Sequence, residues 1–509
     1  MKLISKYSQN DNFWPLIFIV SAVLLRLIGI DQPILEGANT RQIQTADITY
    51  NLFQGGFNFL YPQISLLPEP RYFLLEPPIY NTAVAVLYKI FGVHEELGRL
   101  VSILAFAGTA YFISIISTKY INKSAAQAAV FVFSFSPLSI IYTRGFQPDT
   151  LALFFLTALV FYVSKWFDGE EKAFWPALVF GLLTFLSKQT YMFILVSFLI
   201  MGLLIKGKQI LFEKRVYIFT IVTAIPSIVW SFHSRKITEL FPNNFYAGNF
   251  DFSNWIYLPT FLNYEFYKAI FFWLSGLILT PVGFTLFLVG LFIKTKPKGD
   301  ILLKAWLTGV IIFDLIFHQH AYTHEYYHLP LLPVASIIIG RAWWFLFEDN
   351  NLTGDTSRFS LKPFKLFLLA TTLAMVLGYA NSAFKLPPIY SGIKEKINFF
   401  NDHTKNDDLA VSTTWVALYY SRNKGWLFSH DDKTLKKKYS NLIDDKSKQN
   451  TRVLLLEKFR EQGASYFFEL NPESFYEDKA LSSYLEKNYT KIENKEPKAL
   501  LFDLRKKIS

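Results

Sequence analysis

The chain has 509 residues, of which 52% are hydrophobic and only 18% are charged, a balance that is typical of an integral membrane protein and excludes an ordinary soluble enzyme of this size. The net charge of +11 does not indicate a nucleic-acid partner, because the Lys and Arg residues lie mainly in short connectors between apolar segments. The absence of Cys excludes disulfide bonds, thiolate metal sites and a cysteine nucleophile.

Apolar segments near or above the ~18 residues that cross ~30 Å of hydrocarbon recur through the first 385 positions. Eleven of them are predicted to be transmembrane helices, at 13–30, 98–118, 125–142, 149–165, 173–187, 189–205, 216–233, 267–293, 302–318, 329–348 and 363–384. The first has no small-residue cleavage site and follows Lys2 and Lys6, so it is predicted to be a retained anchor with a cytoplasmic N-terminus. Basic connectors on that side and the odd number of spans predict a multi-pass plasma-membrane protein with an extracytoplasmic C-terminal domain.

Three segments on the predicted outer side are long, at 31–97, at 234–266 and from about 385. Long loops on a rigid helical scaffold commonly carry binding groups. The first contains amphipathic stretches near 40–54 and 77–92, which are predicted to lie along the membrane interface. The alternative is that the second stretch is a further short span, which would invert the topology of everything after it.

The composition changes at about residue 395, where Lys, Asp, Glu and Ser become frequent. Apolar β-rich runs alternate there with helical patterns, which predicts a small α/β domain at 391–509 after a transmembrane domain at 1–390. The predicted strands are 409–412, 465–469 and 499–504, and the predicted helices are 452–462 and 473–487. Because this part has no phosphate loop, metal-ligand spacing or catalytic triad, a lid or acceptor-recognition module is the favoured interpretation.

Ionisable side chains cluster at the predicted outer ends of the spans, where their burial is costly unless they serve a function. They are Asp31, Glu36, Arg41, Asp47, Glu69, Arg71 and Glu76 in the first loop, Arg144 and Asp149 in the next turn, Lys188, and the group His318, His320, His324, Glu325, Tyr326, Tyr327 and His328. Each has a structural alternative, such as a salt bridge at a helix entrance, a snorkelling Lys or a solvated His turn. Together, carboxylates, cations and tyrosines suit a substrate with a phosphate leaving group and a hydroxyl nucleophile.

These residues stand in an order that resembles a known family over roughly residues 13–345. The pieces that carry the resemblance are Arg41-Gln42-Ile43-Gln44-Thr45-Ala46, Glu76-Pro77-Pro78-Ile79-Tyr80, Phe91-Gly92 with Gly98-Arg99-Leu100, Arg144 with Pro148-Asp149, Lys188, and Tyr326-Tyr327-His328-Leu329-Pro330. The chain resembles the membrane glycosyltransferases of the GT-C superfold, in the group of the protein O-mannosyltransferases and the bacterial aminoarabinose transferases (glycosyltransferase family 39 type). The resemblance implies a polytopic α-helical GT-C-like fold with interfacial helices in the first loop.

The resemblance further implies inverting transfer of a sugar from a polyprenyl-phosphate donor to a lipid, glycan or protein acceptor on the outer face. Arg41-Gln42 stands where the family commonly has an Asp-Glu pair, so Glu36 is the preferred catalytic base and Asp47 the reserve. Asp149 resembles a second functional acid. The resemblance implies that the donor phosphate is bound by Arg41, Arg99, Arg144, Lys188 and Tyr327, with a structural role as the alternative for Arg99, Arg144 and Lys188. It also implies that Glu76 with His324 could hold a divalent metal, the one cofactor considered.

Two other classes of function remain open. A transporter or flippase for lipid-linked saccharides would share the membrane domain, although the sequence has no internal repeat and few charges at mid-membrane depth. A non-catalytic scaffold that presents the C-terminal domain would not need the carboxylates of Glu36, Glu76 and Asp149.

Overall fold

The structure is a computed structural model that describes residues 13–37, 39–241, 258–348, 362–405, 407–428, 435–436, 439, 442–443, 450–492 and 498–508. Lys2 and Lys6, and residues 242–257 of the predicted second outer segment, lie outside the described residues.

Helices occupy every segment that was predicted to span the membrane, and the two amphipathic stretches of the first loop are helices as well. The helices before residue 241 are α1 (Phe13–Leu27), α2 (Asn39–Gln54), α3 (Ile79–Phe91), α4 (Glu95–Tyr120), α5 (Lys123–Phe135), α6 (Pro137–Tyr142), α7 (Asp149–Phe167), α8 (Phe174–Ser187), α9 (Ile194–Lys206) and α10 (Lys214–Leu240). After it come α11 (Tyr264–Phe272), α12 (Thr280–Phe292), α13 (Pro297–Ile316), α14 (His318–Thr323), α15 (Leu331–Phe347) and α16 (Lys362–Ala383).

Among the described residues, four helical segments are long and apolar enough to cross a membrane by themselves, and one bent pair makes a fifth. The four are Glu95–Tyr120, Asp149–Phe167, Gln189–Phe212 and Lys214–Leu240. Since α1, α3, α15 and part of α16 are shorter apolar helices, the count of eleven crossings stays a prediction.

The single helix predicted over 267–293 is wrong, because the structure bends by 104° between α11 and α12. A π-helical turn continues α11 to Ile278, and α12 begins afresh at Thr280, whose φ is +62°. Pro281 in the first turn of α12 has no N–H to donate back across the break. The freed carbonyl of Ile278 accepts a hydrogen bond of 2.7 Å from the Ser136 hydroxyl, so the break is satisfied inside the protein.

The helix predicted over 125–142 is likewise divided, into α5 and α6. Ser136 separates the two in a non-helical conformation, and Pro137 starts α6, where its missing N–H costs nothing.

Contacts divide the chain into two compact units, which we call the helical unit and the mixed unit. The helical unit comprises Met1–Gln32, His94–Ser231 and Phe250–Phe384, and the mixed unit comprises Pro33–Val93, Phe232–Asn249 and Lys385–Ser509. The first predicted outer loop is therefore grouped with the C-terminal segment.

Within the helical unit, small residues let neighbouring helices approach closely. Helices in a membrane associate in this way because the hydrophobic effect does not drive them together in lipid. A Cβ on Gly340 of α15 would lie 2.3 Å from the carbonyl oxygen of Ala125 in α5. A Cβ on Gly290 of α12 would lie 2.4 Å from the carbonyl oxygen of Ile338 in α15. The helix α15, buried along most of its length, therefore packs between α5 and α12.

The mixed unit contains a five-stranded sheet in the order β2-β1-β3-β5-β4. Its strands are β1 (Leu409–Ser412), β2 (Gly425–Leu427), β3 (Ala464–Glu469), β4 (Tyr489–Ile492) and β5 (Leu500–Lys507). Its described helices, beyond α2 and α3, include α17 (Ile393–His403), α18 (Trp415–Ser421), α19 (Thr451–Glu461), α20 (Pro472–Glu477) and α21 (Lys479–Asn488). β1 is parallel to β2 and β3, whereas β5 is antiparallel to β3 and β4. The predicted mixture of strands and helices near the C-terminus is thus confirmed, whereas the domain bounds 1–390 and 391–509 stay a prediction.

One outer strand of this sheet, β2, is paired on its other side by the first loop. The backbone N–H of Gly425 donates to the Ser65 carbonyl at 3.1 Å, and the N–H of Leu67 donates to the Gly425 carbonyl at 2.8 Å. The loop therefore extends the sheet by a short parallel contact between Leu66 and Gly425.

Candidate active site

An ion pair between the buried Asp149 and the partly buried Lys188 lies where helix α7 begins and helix α8 ends. Asp149 is the first residue of α7, directly after Pro148, and its side chain is fully buried. Lys188 follows the last residue of α8 in an extended conformation, and its ammonium group binds one carboxylate oxygen of Asp149. The pair therefore gives the fully buried carboxylate of Asp149 an opposite charge in direct contact.

Three tyrosine rings surround the Lys188 ammonium. The nitrogen lies 5.6 Å from the ring centre of Tyr191 and 5.2 Å from the ring centres of both Tyr326 and Tyr327. Tyr327 stacks on the imidazole of His320, with ring centres 5.1 Å apart. These ring faces stabilise the cation and leave hydroxyl groups around it.

Tyr142, at the end of α6, connects this group to Glu325. Its hydroxyl donates to the Glu325 carboxylate at 2.7 Å, and its ring lies 5.7 Å from that of Tyr326. In the helical unit, Asp149, Lys188 and the turn at 325–328 therefore lie together, and all of them were predicted to belong to the site. Sequence reasoning did not single out Tyr142 or Tyr191, because a Tyr in an apolar segment is most simply explained by packing.

The predicted phosphate ligands Arg99 and Arg144 hold the backbone that follows α1. Arg99 donates to the carbonyls of Ile30 and Gln32 at 2.6 Å each, and Arg144 donates to the Gly29 carbonyl at 3.0 Å. These contacts match the structural alternative for the two arginines, and their binding of phosphate stays a prediction.

Arg26 was missed by sequence reasoning although it lies inside the first predicted span. It is fully buried, donates to the Thr143 and Ser139 hydroxyls at 2.6 and 2.9 Å, and covers the Phe106 ring at 3.6 Å. An arginine within an apolar span is itself the signal that could have identified it.

In the mixed unit, Arg41 and Glu76 form an ion pair, with side chains that are 18% and 22% exposed. Arg41 also donates to the side chain of Gln44 at 2.8 Å. Glu36 is buried, and its backbone carbonyl accepts from the Gln42 side chain at 2.7 Å. Helix α2 thus carries Arg41, a predicted phosphate ligand, which binds Glu76, a predicted metal ligand. Gln42 of the same helix fixes the backbone of Glu36, the preferred base.

Asp47 is placed differently from what a catalytic base requires. It is fully buried in the mixed unit, and each carboxylate oxygen accepts two hydrogen bonds. Asn51 and the Ser65 hydroxyl donate to one oxygen at 2.8 and 2.6 Å, and the Ser65 N–H and the Trp415 indole donate to the other at 2.8 Å each. Burial raises the pKa of Asp47, while the hydrogen bonds from Ser65 and Trp415 and the charge of Arg422 oppose that rise. Because its lone pairs are engaged, we assign Asp47 to positioning α2 rather than to proton transfer.

Each of the two residues predicted to hold a metal has another partner, and metal binding by them stays a prediction. Among the described residues, no group of three or more His, Asp or Glu side chains is placed to bind a metal ion. Glu76 is paired with Arg41, and the His324 imidazole lies 2.7 Å from the Thr323 hydroxyl. We therefore derive no chemical step through a metal.

The comparisons with solved structures establish the fold. The chain is similar to ArnT from Cupriavidus metallidurans bound to undecaprenyl phosphate, with a TM-score of 0.64 and 12% identity over 97% of this chain and 98% of that one. The chain has the GT-C fold. This confirms the fold and the resemblance that the sequence predicted, and with the apolar helices it makes the chain a multi-pass membrane protein.

Two further GT-C structures are similar over most of the chain. The Archaeoglobus fulgidus oligosaccharyltransferase in complex with Zn and sulfate has a TM-score of 0.55 at 11% identity, covering 94% of this chain and 71% of that one. The arabinofuranosyltransferase AftD from Mycobacteria has a TM-score of 0.55 at 14% identity, covering 97% and 40%.

By sequence, residues 75–232 match the family model for dolichyl-phosphate-mannose-protein mannosyltransferase. That range includes Arg99, Arg144, Asp149 and Lys188 of this chain. No curated relative matches the chain.

Proposed function

We propose that the protein is an inverting glycosyltransferase that moves a sugar from a polyprenyl-phosphate donor to an acceptor outside the cytoplasm. The observation that carries the proposal is the Asp149–Lys188 pair, enclosed by tyrosines in a chain with the GT-C fold. A solved structure of the same fold contains undecaprenyl phosphate, which supports a donor of this class.

In the proposed reaction, an acceptor hydroxyl oxygen attacks the anomeric carbon as the bond from that carbon to the phosphate oxygen breaks. The leaving oxygen keeps the bonding electrons, so negative charge grows on the phosphate. The Lys188 ammonium and the hydroxyl of Tyr327 stabilise that charge, and their fixed positions avoid a cost of reorganisation. The acceptor proton passes to a carboxylate, for which we propose Glu36, as the resemblance implies.

We further propose that the N-terminus is cytoplasmic and that transfer occurs on the opposite side of the plasma membrane. This assignment is supported by the basic connectors of the sequence. The acceptor class proposed is a lipid, a glycan or a protein that reaches that side.

The test uses the full chain, purified in detergent, with polyprenyl-phosphate sugars carrying a radiolabel on the sugar. We expect release or transfer of the labelled sugar, with the other product being polyprenyl phosphate. Replacing Asp149 by Asn is expected to reduce turnover, because Lys188 then lacks its anion, and Glu36→Gln is expected to reduce it as well. Parallel reactions with a chelator decide whether a divalent metal takes part.

The matched control is Asp168→Asn, at the opposite end of helix α7. Asp168 is ion-paired with Lys119 at 3.1 Å and should affect folding without affecting chemistry. Equal turnover in the Asp149 and Asp168 variants would contradict the proposal. A transporter would instead carry the intact lipid-linked sugar across reconstituted vesicles without cleaving it.

A further inference from the structure

Gln147, two residues before Asp149 in the chain, has a buried side chain without any use in the proposed reaction. Gln147 is 1% exposed, and neither its amide nitrogen nor its amide oxygen has a hydrogen-bond partner in the part of the chain that the structure describes. Its backbone is fixed, since its N–H donates to the Gly145 carbonyl at 2.8 Å and its carbonyl accepts from the Ser102 hydroxyl at 3.5 Å. The unused amide is therefore held in place by its neighbours.

Polar atoms of Asp149 itself and of residues next to Lys188 in the chain share this property. Buried atoms with no partner among the described residues include Asp149 Oδ2, Ser187 Oγ, Thr190 Oγ1 and Tyr191 OH. Asp149 Oδ2 belongs to the same carboxylate whose other oxygen binds Lys188, and Ser187 precedes Lys188 directly. The ring centre of Tyr191 lies 5.6 Å from the Lys188 ammonium nitrogen.

A concentration of unpaired buried polar atoms is expensive in a folded protein, because each loses its bonds to water and gains none in return. Such atoms are retained where a ligand completes their hydrogen bonds. The kinds of atom present restrict that ligand. An amide donates and accepts without charge, a carboxylate oxygen accepts only, and both match the hydroxyl groups of a sugar. A phosphate would be repelled by Asp149 Oδ2 and is suited to the side occupied by the Lys188 ammonium.

We infer that Gln147 and Asp149 Oδ2 form the subsite that binds hydroxyl groups of the transferred sugar, with Tyr191 as a third contact. The inference rests on the proposed function and adds to it the residue that determines sugar specificity. In this arrangement the Lys188 side of the ion pair binds the donor phosphate, and the Asp149 side binds the sugar.

The experiment compares wild-type protein and Gln147→Ala, both as full chain in detergent, with two probes. One is the polyprenyl-phosphate hexose that wild type turns over or binds best, and the other is a set of its monodeoxy analogues. In wild type, one deoxy analogue should lose ~10- to 100-fold in kcat/KM, the size expected when one buried hydrogen bond is left unpaired. In Gln147→Ala that difference should disappear, while inhibition by polyprenyl phosphate alone stays unchanged.

Binding is also measured without chemistry, as the rise in melting temperature on adding each donor. If wild type binds the donors but never cleaves them, the proposed function fails, and the binding comparison still tests the subsite. If Gln147→Ala discriminates among the deoxy analogues as wild type does, in either measurement, the subsite is refuted and ordered water satisfies the amide.

Gln127→Leu is the matched control, since Gln127 lies on α5, on the wall of an apolar cavity whose lining does not include Gln147. It should leave discrimination unchanged. If Gln147→Ala does not fold, Gln147→Asn keeps the amide but shortens its reach, and it should lower discrimination with the melting temperature preserved.

Discussion

The hydrogen bond between the Trp415 indole and Asp47 is expected to stabilise the mixed unit, and Trp415→Phe tests it. The substitution removes the N–H that donates to the carboxylate at 2.8 Å. It keeps a ring that can still pack against Phe73, whose ring centre lies 6.0 Å away. The carboxylate is fully buried, so water cannot replace the lost donor without opening the contact.

A hydrogen bond to a charged group contributes ~1.5–3 kcal/mol, and a unit of about 200 residues shifts its melting temperature by roughly 2–4 °C per kcal/mol. We therefore expect Trp415→Phe to lower the melting temperature of the mixed unit by about 3–12 °C from the hydrogen bond alone. The assay is thermal unfolding of the purified full chain in detergent at pH 8, followed by limited proteolysis that reports cleavage within residues 385–509.

Trp426→Phe provides the matched control. Trp426 is buried in the same unit, and its indole nitrogen has no partner among the described residues, so this variant loses the same ring volume and no hydrogen bond. Asp47→Asn completes a double-mutant cycle with Trp415→Phe. Equal melting temperatures for the two Trp variants, together with additive effects of Asp47→Asn and Trp415→Phe, would refute the reasoning.

Three further outcomes are expected. Burial raises the pKa of Asp47, so the stability that this residue contributes is complete below its unfolded pKa of roughly 4 and is lost as the pH rises through its folded pKa. The melting temperature of the wild type should therefore fall with rising pH relative to that of Asp47→Asn. Parallel curves of melting temperature against pH would contradict this. Lys188→Met should lower donor turnover by about 10²–10³-fold without changing the melting midpoint by more than the Asp168→Asn control, because it removes charge stabilisation of the leaving phosphate. Gly98→Ala would place a Cβ 2.3 Å from the Phe146 ring and should cost roughly 1–3 kcal/mol, whereas Gly378→Ala, with open space around it, should cost far less in the same unfolding assay.

The positions of the helices could be predicted from the sequence because apolar length and basic connectors report directly on a membrane environment. Alternation and helical periodicity likewise predicted β1, β3 and β5 within one or two residues at most ends. The strand β2 was missed because three residues are too short to show a period of two, and β4 was missed because Thr490 and Lys491 at its centre are polar, so it is not an apolar run. The bend at Ile278 was missed because hydropathy reports total apolar length and not the continuity of a helix.

The candidate site was predicted in part. Asp149 and Lys188 could be identified because charged residues at the ends of apolar segments are unusual, and the structure brings the two together. The engagement of Asp47 by Trp415 could not be foreseen, since the partners are 368 positions apart and neither carries a local signal. The unpartnered state of Gln147 is equally invisible in the sequence, because it depends on which neighbours surround the side chain.

The pairing of the first loop with β2 has a consequence for how the chain can be divided. A fragment that begins at residue 391 would lack Ser65 and Leu67. The N–H and C=O of Gly425 would then be unpaired on an exposed edge strand. Exposed edge strands tend to pair with strands of other molecules, and the isolated fragment is therefore expected to self-associate. In the intact chain, a segment more than 350 residues upstream covers this strand, so the fold of the C-terminal segment depends on the first loop.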